Sequence, residues 1–143
     1  RDQMTNVEVS NKAMELFNEN KIDEWFNTLA AEDITFEDMA VGHKASGKEE
    51  VKAYVQSWKT TFPDMVGQFN NRIESGNTMV EECSWTGTNT GEITAPDGSK
   101  IPPTGKTVNI KNCFIYEFEN EKIKSMKNYL DMMGMMGQLG LAG

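Results

Sequence analysis

The change in hydrophobic period near Pro63 constrains the fold of this chain more than any other feature. Before Pro63, apolar residues recur mostly every three or four positions, whereas after it they alternate with polar residues. The first pattern predicts amphipathic helices, and the second predicts strands that bury one face. The chain has 143 residues, the size of one domain, and no linker or repeat divides it. We therefore expect a single domain over residues 1–143.

Three helices are predicted before Pro63, over residues 6–19, 22–30 and 47–62. The third follows Ser46, with Glu49 three positions on, which is the spacing of a capping box. Pro63 ends this helix because it cannot continue the backbone hydrogen bonds. The alternating stretch "DITFEDM", residues 33–39, predicts a short strand between the second and third helices, and "VGHKASG" predicts a turn after it.

Four long strands and a short C-terminal helix are predicted after Pro63. The strands cover residues 65–75, 78–93, 106–119 and 122–131, and the helical turns cover 132–140. Gly76-Asn77 and Asn120-Glu121 are typical of tight hairpin turns, and the Pro- and Gly-rich residues 94–105 predict a loop. Helices segregated from an antiparallel sheet indicate an α+β class. A strongly curved sheet wrapped over the helices, with a pocket in its concavity and a partner subunit on its outer face, would satisfy this pattern.

Charge and composition exclude several classes of function. The net charge is −8, so the chain repels phosphate backbones and anionic membranes, and we expect no nucleic-acid or membrane partner. No apolar run approaches the roughly 20 residues that a membrane span needs. The first ten residues, "RDQMTNVEVS", contain no apolar signal core. We therefore expect a cytoplasmic protein.

The cysteines and the histidine do not form a metal site. Cys83 and Cys113 lie thirty residues apart in separate predicted strands, and His43 is the one histidine. This spacing matches no structural zinc site, so no metal is expected. Two buried free thiols are expected, and a disulfide between them is the alternative. The ten methionines are suited to filling core gaps or to lining an adaptable apolar pocket.

Five short motifs occur along the chain in this order: "FPDM", "WTGTNTGE", "PPTGK", "EKI" and "YLDMMGMMGQLG". Together they resemble the SnoaL-like polyketide cyclase family, within the NTF2-like and ketosteroid-isomerase-like superfamily, over essentially the whole chain. The resemblance implies a cone-shaped α+β barrel with three N-terminal-half helices packed in a strongly curved, mostly antiparallel sheet and a short C-terminal helix. It also implies a deep apolar pocket and a homodimer.

The resemblance implies an acid/base enzyme of the aldol cyclase or isomerase type that needs no cofactor. Its substrate would be a small hydrophobic carbonyl compound, and its general base would be Asp131, which matches the family's aspartate at the end of the last strand. Burial among apolar groups would raise the pKa of such a base. The residues alone also allow Asp131 to be the N-cap of the C-terminal helix. A hydrophobic ligand-binding protein without chemistry is the alternative function, and a structural dimer without a ligand is a third.

The sequence departs from the family pattern at three positions. Members typically have a histidine where this chain has Asn89, and they often have His and Trp where it has Met126 and Lys127. The acid partner of a cyclase is therefore not apparent. The extra residues "APDGSK" lengthen a loop near the expected mouth of the pocket.

Five further residues are candidates for substrate binding. Asn89 could donate to an oxyanion or face solvent at a strand end, and Trp85 could offer its indole N–H or simply pack in the core. Asn112 lies on an apolar face, where a buried polar side chain needs a partner. Tyr129 could be an acid, an oxyanion donor or a structural phenol. Histidine is the one residue type that titrates near neutrality when unperturbed, which makes His43 a candidate, but its Gly-rich turn also allows a solvated side chain.

Overall fold

The computed structural model of the protein describes residues 3–95 and 97–142. Within these residues the chain forms four helices and eight strands. In chain order they are α1 (Asn6–Asn18), α2 (Ile22–Leu29), β1 (Ala30–Asp38), β2 (His43–Ser46), α3 (Lys48–Thr61), β3 (Val66–Ser75), β4 (Thr78–Thr88), β5 (Ile93–Thr94), β6 (Lys100–Ile101), β7 (Thr107–Glu119), β8 (Lys122–Leu130) and α4 (Met132–Gln138).

The main sheet has six strands in the order β2-β1-β8-β7-β4-β3. Neighbouring strands are antiparallel except for β1 and β8, which are parallel. The register shifts in three of these strand pairs, and such bulges bend strands and increase their twist. The predicted α+β class, with a curved and mostly antiparallel sheet, is confirmed.

The helices pack on one face of this sheet, and their apolar stripes supply a large part of the core. In α1 the buried side chains recur with helical spacing at Val9, Ala13, Leu16 and Phe17. Thr5 and Glu8 form a capping box at its start, with Thr5 N donating to Glu8 Oε1 at 2.8 Å. No helix among the described residues is long and apolar enough to cross a membrane.

The start of α3 differs from the prediction. Gly47, not Ser46, is the N-cap, and no side chain caps the helix. Ser46 belongs to β2 and pairs with Thr35 of β1, so its backbone is still part of the sheet where a cap would be needed. The residues predicted as a turn before α3 thus include an edge strand.

The loops around β4 also differ from the prediction. The strand predicted over residues 78–93 ends at Thr88, and the predicted loop 94–105 contains β6, which forms a two-stranded ribbon with β5. The turn at Asn120 and Glu121 is as predicted, and both residues have positive φ angles of 52° and 63°. Cys83 is buried and Cys113 half-buried, and both are free thiols as expected.

Candidate functional site

A cavity of about 80 Å³ lies between the helices and the inner face of the sheet. Its wall is mainly apolar, and aromatic side chains contribute much of it: Phe17, Trp25, Phe36, Trp58, Phe69, Trp85, Phe114 and Tyr116. Hydroxyl, carboxyl and amide groups interrupt this wall at five residues of the described part of the chain: Ser10, Glu81, Asn112, Tyr116 and Asn128. These few groups determine what the cavity can recognise.

The strand register places these polar groups opposite one another. Glu81 of β4 pairs with Phe114 of β7, which pairs with Asn128 of β8. The three side chains therefore lie side by side on the inner face, in one rung of the sheet, that is, one row of paired residues across the strands. Asn112 lies two residues before Phe114 and therefore on the same face. Adjacent strands are about 4.8 Å apart, so the backbones of Glu81 and Asn128 lie roughly 10 Å apart, with the Phe114 ring between them.

Asn112 and Asn128 belong to a row of hydrogen bonds that crosses the sheet. Trp85 Nε1 donates to Asn112 Oδ1 at 2.7 Å, and Asn112 Nδ2 donates to Asn128 Oδ1 at 2.8 Å. Asn128 Nδ2 then approaches Asp38 Oδ1 at 3.5 Å. An asparagine amide has two N–H donors, and each amide uses one of them in this row. The second N–H of each amide makes no hydrogen bond within the described residues.

The row ends at the carboxyl group of Asp38, which is 0% exposed. Tyr54 OH donates to Asp38 Oδ2 at 2.5 Å, and Ala40 N donates to Oδ1 at 3.1 Å. Burial, together with this hydrogen bond, raises the pKa of the Tyr54 phenol, so it stays protonated. Asp38 does not line the cavity, and its contacts instead fix the position of Asn128.

The side chain of Trp85 is fixed from several sides. Its ring lies edge-on to Phe17 and Phe114, at centroid distances of 5.3 and 6.2 Å. It also lies next to Gly67, where an added Cβ atom would come within 2.5 Å of the indole ring. The amide of Asn18 holds this glycine by accepting from Gly67 N at 2.9 Å and donating to Gly67 O at 3.0 Å. A glycine is therefore required for the indole N–H to reach Asn112.

Glu81 supplies the carboxyl group of the cavity wall, and it is 1% exposed. Desolvation raises its pKa to about 7, although the hydrogen bond from Ser10 and the charge of Arg72 oppose this shift. Ser10 Oγ donates to Glu81 Oε2, and Arg72 Nη1 contacts Ser10 Oγ at 3.4 Å and Asn11 Oδ1 at 2.6 Å. A carboxyl group of this kind exists in both protonation states near neutral pH.

Of the residues predicted from the sequence, the structure brings Trp85 and Asn112 together in the cavity wall and places the others elsewhere. Asp131 is exposed and is the N-cap of α4, where its Oδ1 accepts from Gly134 N at 2.9 Å. The expected burial of this carboxylate is wrong, because the chain leaves the sheet at Leu130 and the Asp131 side chain turns back over the start of α4. Its cap contacts match the alternative interpretation, and its catalytic role stays a prediction.

Asn89, Tyr129 and His43 do not line the cavity either. Asn89 is buried, but it ties loops together by donating to Thr61 O and Gly91 O and accepting from Thr104. Tyr129 is 41% exposed and alternates with inward-facing residues of β8, so it lies on the outer face. His43 is exposed and stacks on the Tyr54 ring at 4.8 Å. Substrate binding by these three residues stays a prediction.

Among the site residues that were missed in the sequence, three could have been found from the period of their strands. Asp38 follows Ile34 and Phe36 with a period of two, Glu81 lies between Met79 and Cys83 on one face of β4, and Asn128 follows Met126 on β8. A polar residue at an inward position of a strand marks either a buried partner or a site. No group of three or more His, Cys, Asp or Glu side chains in the described residues could hold a metal ion.

Comparison with known proteins places the chain among small α+β proteins of one fold. The family model described as SnoaL-like polyketide cyclase matches residues 7–139. No curated protein sequence matches the chain.

Solved structures share the fold over nearly the whole chain. A provisionally named SnoaL-like polyketide cyclase from Jannaschia sp. CCS1 aligns with a TM-score of 0.82 and 16% identity, covering 100% of this chain and 99% of that one. Wild-type IdmH from Streptomyces antibioticus, provisionally named a polyketide cyclase, aligns with a TM-score of 0.79 and 20% identity, covering 96% and 99%. A protein of ketosteroid-isomerase-like fold from Catenulispora acidiphila DSM 44928, in complex with trimethylamine, aligns with a TM-score of 0.77 and 16% identity. The alignment covers 96% of this chain and 95% of that one.

Proposed function

Because the chain belongs to the SnoaL-like polyketide cyclase family, we propose that it is an acid/base enzyme of the cyclase or isomerase type. It acts without a cofactor on a small hydrophobic carbonyl compound that binds in the cavity between the helices and the sheet. The observation that carries this proposal is the composition of the cavity wall, in which Glu81 and the amides of Asn112 and Asn128 lie in a mainly apolar lining.

Such a wall favours chemistry next to a carbonyl group. A base removes a proton from the carbon beside the carbonyl, and negative charge then develops on the carbonyl oxygen. The spare N–H groups of Asn112 and Asn128 can donate to that oxygen, and hydrogen bonds of this kind are strongest where water is excluded and the donors are held in place. The hydrogen bonds from Trp85 and to Asp38 hold these two amides. The enolate then closes a ring onto a second carbonyl or accepts a proton at another carbon.

The volume of the cavity limits the size of the substrate. Sites for drug-sized ligands measure about 300–1,000 Å³, whereas this cavity measures about 80 Å³. A ligand of one or two rings would require movement of half-buried wall residues such as Trp58 and Trp85. We therefore expect a substrate smaller than a multi-ring polyketide.

Asp131 is at the position of the family's general base, and it could act as the base here under one condition. Its carboxylate would have to leave Gly134 N and turn towards the cavity when a ligand binds, because it is exposed and outside the cavity wall in this structure. Asp131→Asn tests this condition without disturbing the helix, since asparagine caps a helix as well as aspartate does.

Exchange of substrate protons for deuterium tests the enzyme without knowledge of its product. Cyclohexanone and β-tetralone are incubated with the protein in deuterium oxide, and loss of the proton signal beside the carbonyl is followed by NMR. We expect exchange above the buffer rate that saturates with ketone and falls at least tenfold in Asn112→Leu. Asn70→Leu is the matched control, because Asn70 is exposed on β3 and bonds only Ser84. Exchange at the buffer rate with both ketones would contradict the proposed function.

A non-catalytic ligand-binding protein is the second candidate, and the exposure of Asp131 favours it, since the family's base is then absent from the cavity. The same ketones distinguish the two candidates. Quenching of tryptophan fluorescence by cyclohexanone reports binding near Trp25, Trp58 or Trp85, which all line the cavity. Saturable quenching without proton exchange would favour this second candidate.

We also propose a homodimer in which a second copy covers the outer face of the sheet. Ile73, which is 60% exposed, pairs with Val80, and Val80 pairs with Ile115, so apolar side chains cross three strands on this face next to Tyr129. Light scattering should give the mass of a dimer for the wild type and a monomer for Ile73→Lys. Met133→Lys, which changes another exposed apolar residue, on α4, should stay dimeric. A monomeric wild type would refute the dimer.

A further inference from the structure

We propose that Glu81 is the catalytic residue that removes protons from the ligand and returns them inside the cavity. This inference rests on the proposed acid/base function and names the base, which is not the carboxylate at the family's position. Three carboxyl groups compete for this role: Glu81, Asp38 and Asp131. Their hydrogen bonds and their positions relative to the cavity show which of them can act as the base.

Glu81 has an oxygen that can receive a proton, whereas the others do not present one to the cavity. Ser10 occupies Glu81 Oε2, and Oε1 makes no hydrogen bond within the described residues. Because Glu81 is one of the residues that line the cavity, we infer that Oε1 is the oxygen available to a ligand there. Both oxygens of Asp38 are bonded behind the wall, and Asp131 lies outside it.

The groups around Glu81 leave it able to change its charge. Arg72 faces it from β3 and Ser10 from α1, while Cys83 of β4 and Tyr116 of β7 lie close by. Burial raises the pKa of the Cys83 thiol to about 12 and that of the Tyr116 phenol well above its ordinary value, so both stay neutral. Desolvation and the partial compensation by Ser10 and Arg72 bring the pKa of Glu81 to about 7. A base is most effective when its pKa lies near the working pH.

The position of Glu81 also suits the geometry of enolate formation. A ligand lying over the Phe114 ring has Glu81 on one side and Asn128 on the other, because these residues share one rung of the sheet. The carbon beside the carbonyl can then face Glu81 Oε1 while the carbonyl oxygen faces the amide N–H groups. Glu81 takes the proton, the C–H electron pair forms the enolate double bond, and the carbonyl π electrons move to oxygen. The protonated Glu81 then returns the proton to carbon or to the new alkoxide.

The test uses 5-nitrobenzisoxazole, a small apolar carbon acid. A base removes its one acidic C–H proton, the C–H electron pair forms a nitrile, and the N–O bond breaks to give a coloured phenolate, so no co-reactant is needed. We expect turnover that rises with pH about a midpoint near 7 and falls about a hundredfold or more in Glu81→Gln. Glu82→Gln is the matched control, because Glu82 is the exposed neighbour whose side chain points to the outer face and contacts Asn71.

Asp131→Asn separates a failure of this inference from a failure of the proposed function. Turnover lost in Asp131→Asn but kept in Glu81→Gln would overturn the role of Glu81 and leave an acid/base enzyme. No turnover by the wild type would overturn the role of Glu81, and the ketone exchange experiment then decides whether the proposed function fails with it.

Ser10→Ala provides a readout that a purely structural role of Glu81 would not change. The Ser10 hydroxyl stabilises the ionised carboxylate and lowers the pKa of Glu81, so its removal should move the midpoint of the pH profile upward. This variant keeps the inference testable even if Glu81→Gln does not fold. A midpoint that stays in place in Ser10→Ala, with turnover intact, would overturn the assignment.

Discussion

Replacing Glu81 with glutamine should make the protein more stable than the wild type at alkaline pH. The side chain is 1% exposed, and burial of a charged carboxylate is unfavourable unless partners compensate fully. Ser10 and Arg72 compensate only in part, since the pKa of Glu81 is raised from an ordinary value of 4.5 to about 7. Glutamine has nearly the same shape and can still accept from Ser10, but it carries no charge.

The magnitude follows from linkage between proton binding and folding. A group whose folded pKa is raised binds more protons in the native state, so stability falls as pH rises from the unfolded to the folded pKa. For Glu81 this window runs from 4.5 to about 7. One pKa unit corresponds to about 1.4 kcal/mol, so between about pH 5 and pH 8.5 the wild type should lose roughly 2–3 kcal/mol relative to Glu81→Gln.

Urea unfolding of both proteins, followed by tryptophan fluorescence at several pH values, measures this difference. Comparison with the variant cancels the titration of all other groups that the two proteins share. The free energies of unfolding should nearly coincide close to pH 5 and diverge through neutrality, with the variant becoming the more stable. Parallel pH curves for the two proteins, or a wild type that gains relative stability with pH, would refute the raised pKa and with it the desolvation of this carboxylate.

Three further changes test other parts of the site. Asp131→Ala should lower the free energy of unfolding by about 1 kcal/mol in urea denaturation, because α4 loses its N-cap, whereas Asp131→Asn should leave it unchanged. Gly67→Ala should destabilise the protein by about 1–3 kcal/mol and change the near-UV circular dichroism, because its Cβ atom would meet the Trp85 ring at 2.5 Å. Tyr54→Phe should lower the thermal midpoint and cost about 1.5–3 kcal/mol, because the buried carboxyl group of Asp38 loses its hydroxyl donor.

Each of these predictions has a control or a contradicting result. For Gly67→Ala the control is Gly137→Ala: Gly137 is exposed in α4, and a Cβ atom added there would meet no atom within 4 Å, so alanine should be neutral or stabilising. Equal losses from both alanine variants would argue against the contact with Trp85. If Asp131→Asn loses as much free energy of unfolding as Asp131→Ala, Asp131 is not a helix cap. If Tyr54→Phe keeps the thermal midpoint of the wild type, the Asp38 carboxyl group does not depend on the Tyr54 hydroxyl.

The local patterns of the sequence predicted most of the elements and their class. A helical period up to Pro63 and a period of two from β3 to β8 were sufficient because each pattern reports which face of an element is buried. The errors fell where tertiary pairing overrode local signals. Ser46 has the composition of a cap, but pairing with Thr35 in β1 keeps it in the sheet. β4 ends at Thr88, one residue before Asn89, whose buried side chain bonds Thr61 O, Gly91 O and Thr104 in the neighbouring loops.

The sequence could not show which carboxylate of this protein is the best candidate for a general base, because an aspartate before a helix can be either a helix cap or a base. Burial distinguishes the two roles, and burial depends on residues distant in the chain. The capping contact of Asp131 is local, whereas the environment of Glu81 is made by Ser10 of α1 and Arg72 of β3. Those partners cannot be read from the residues around position 81.

By itself, then, the sequence determined the α+β class, the order of the elements and the family to which the chain belongs, because periodicity and motif order are properties of the chain alone. Only the tertiary structure decided which polar side chains meet in the cavity. Glu81, Asn112 and Asn128 come from three strands, and the register between those strands sets their spacing. Desolvation by the aromatic wall then gives one of them a pKa of about 7, which no stretch of sequence encodes on its own.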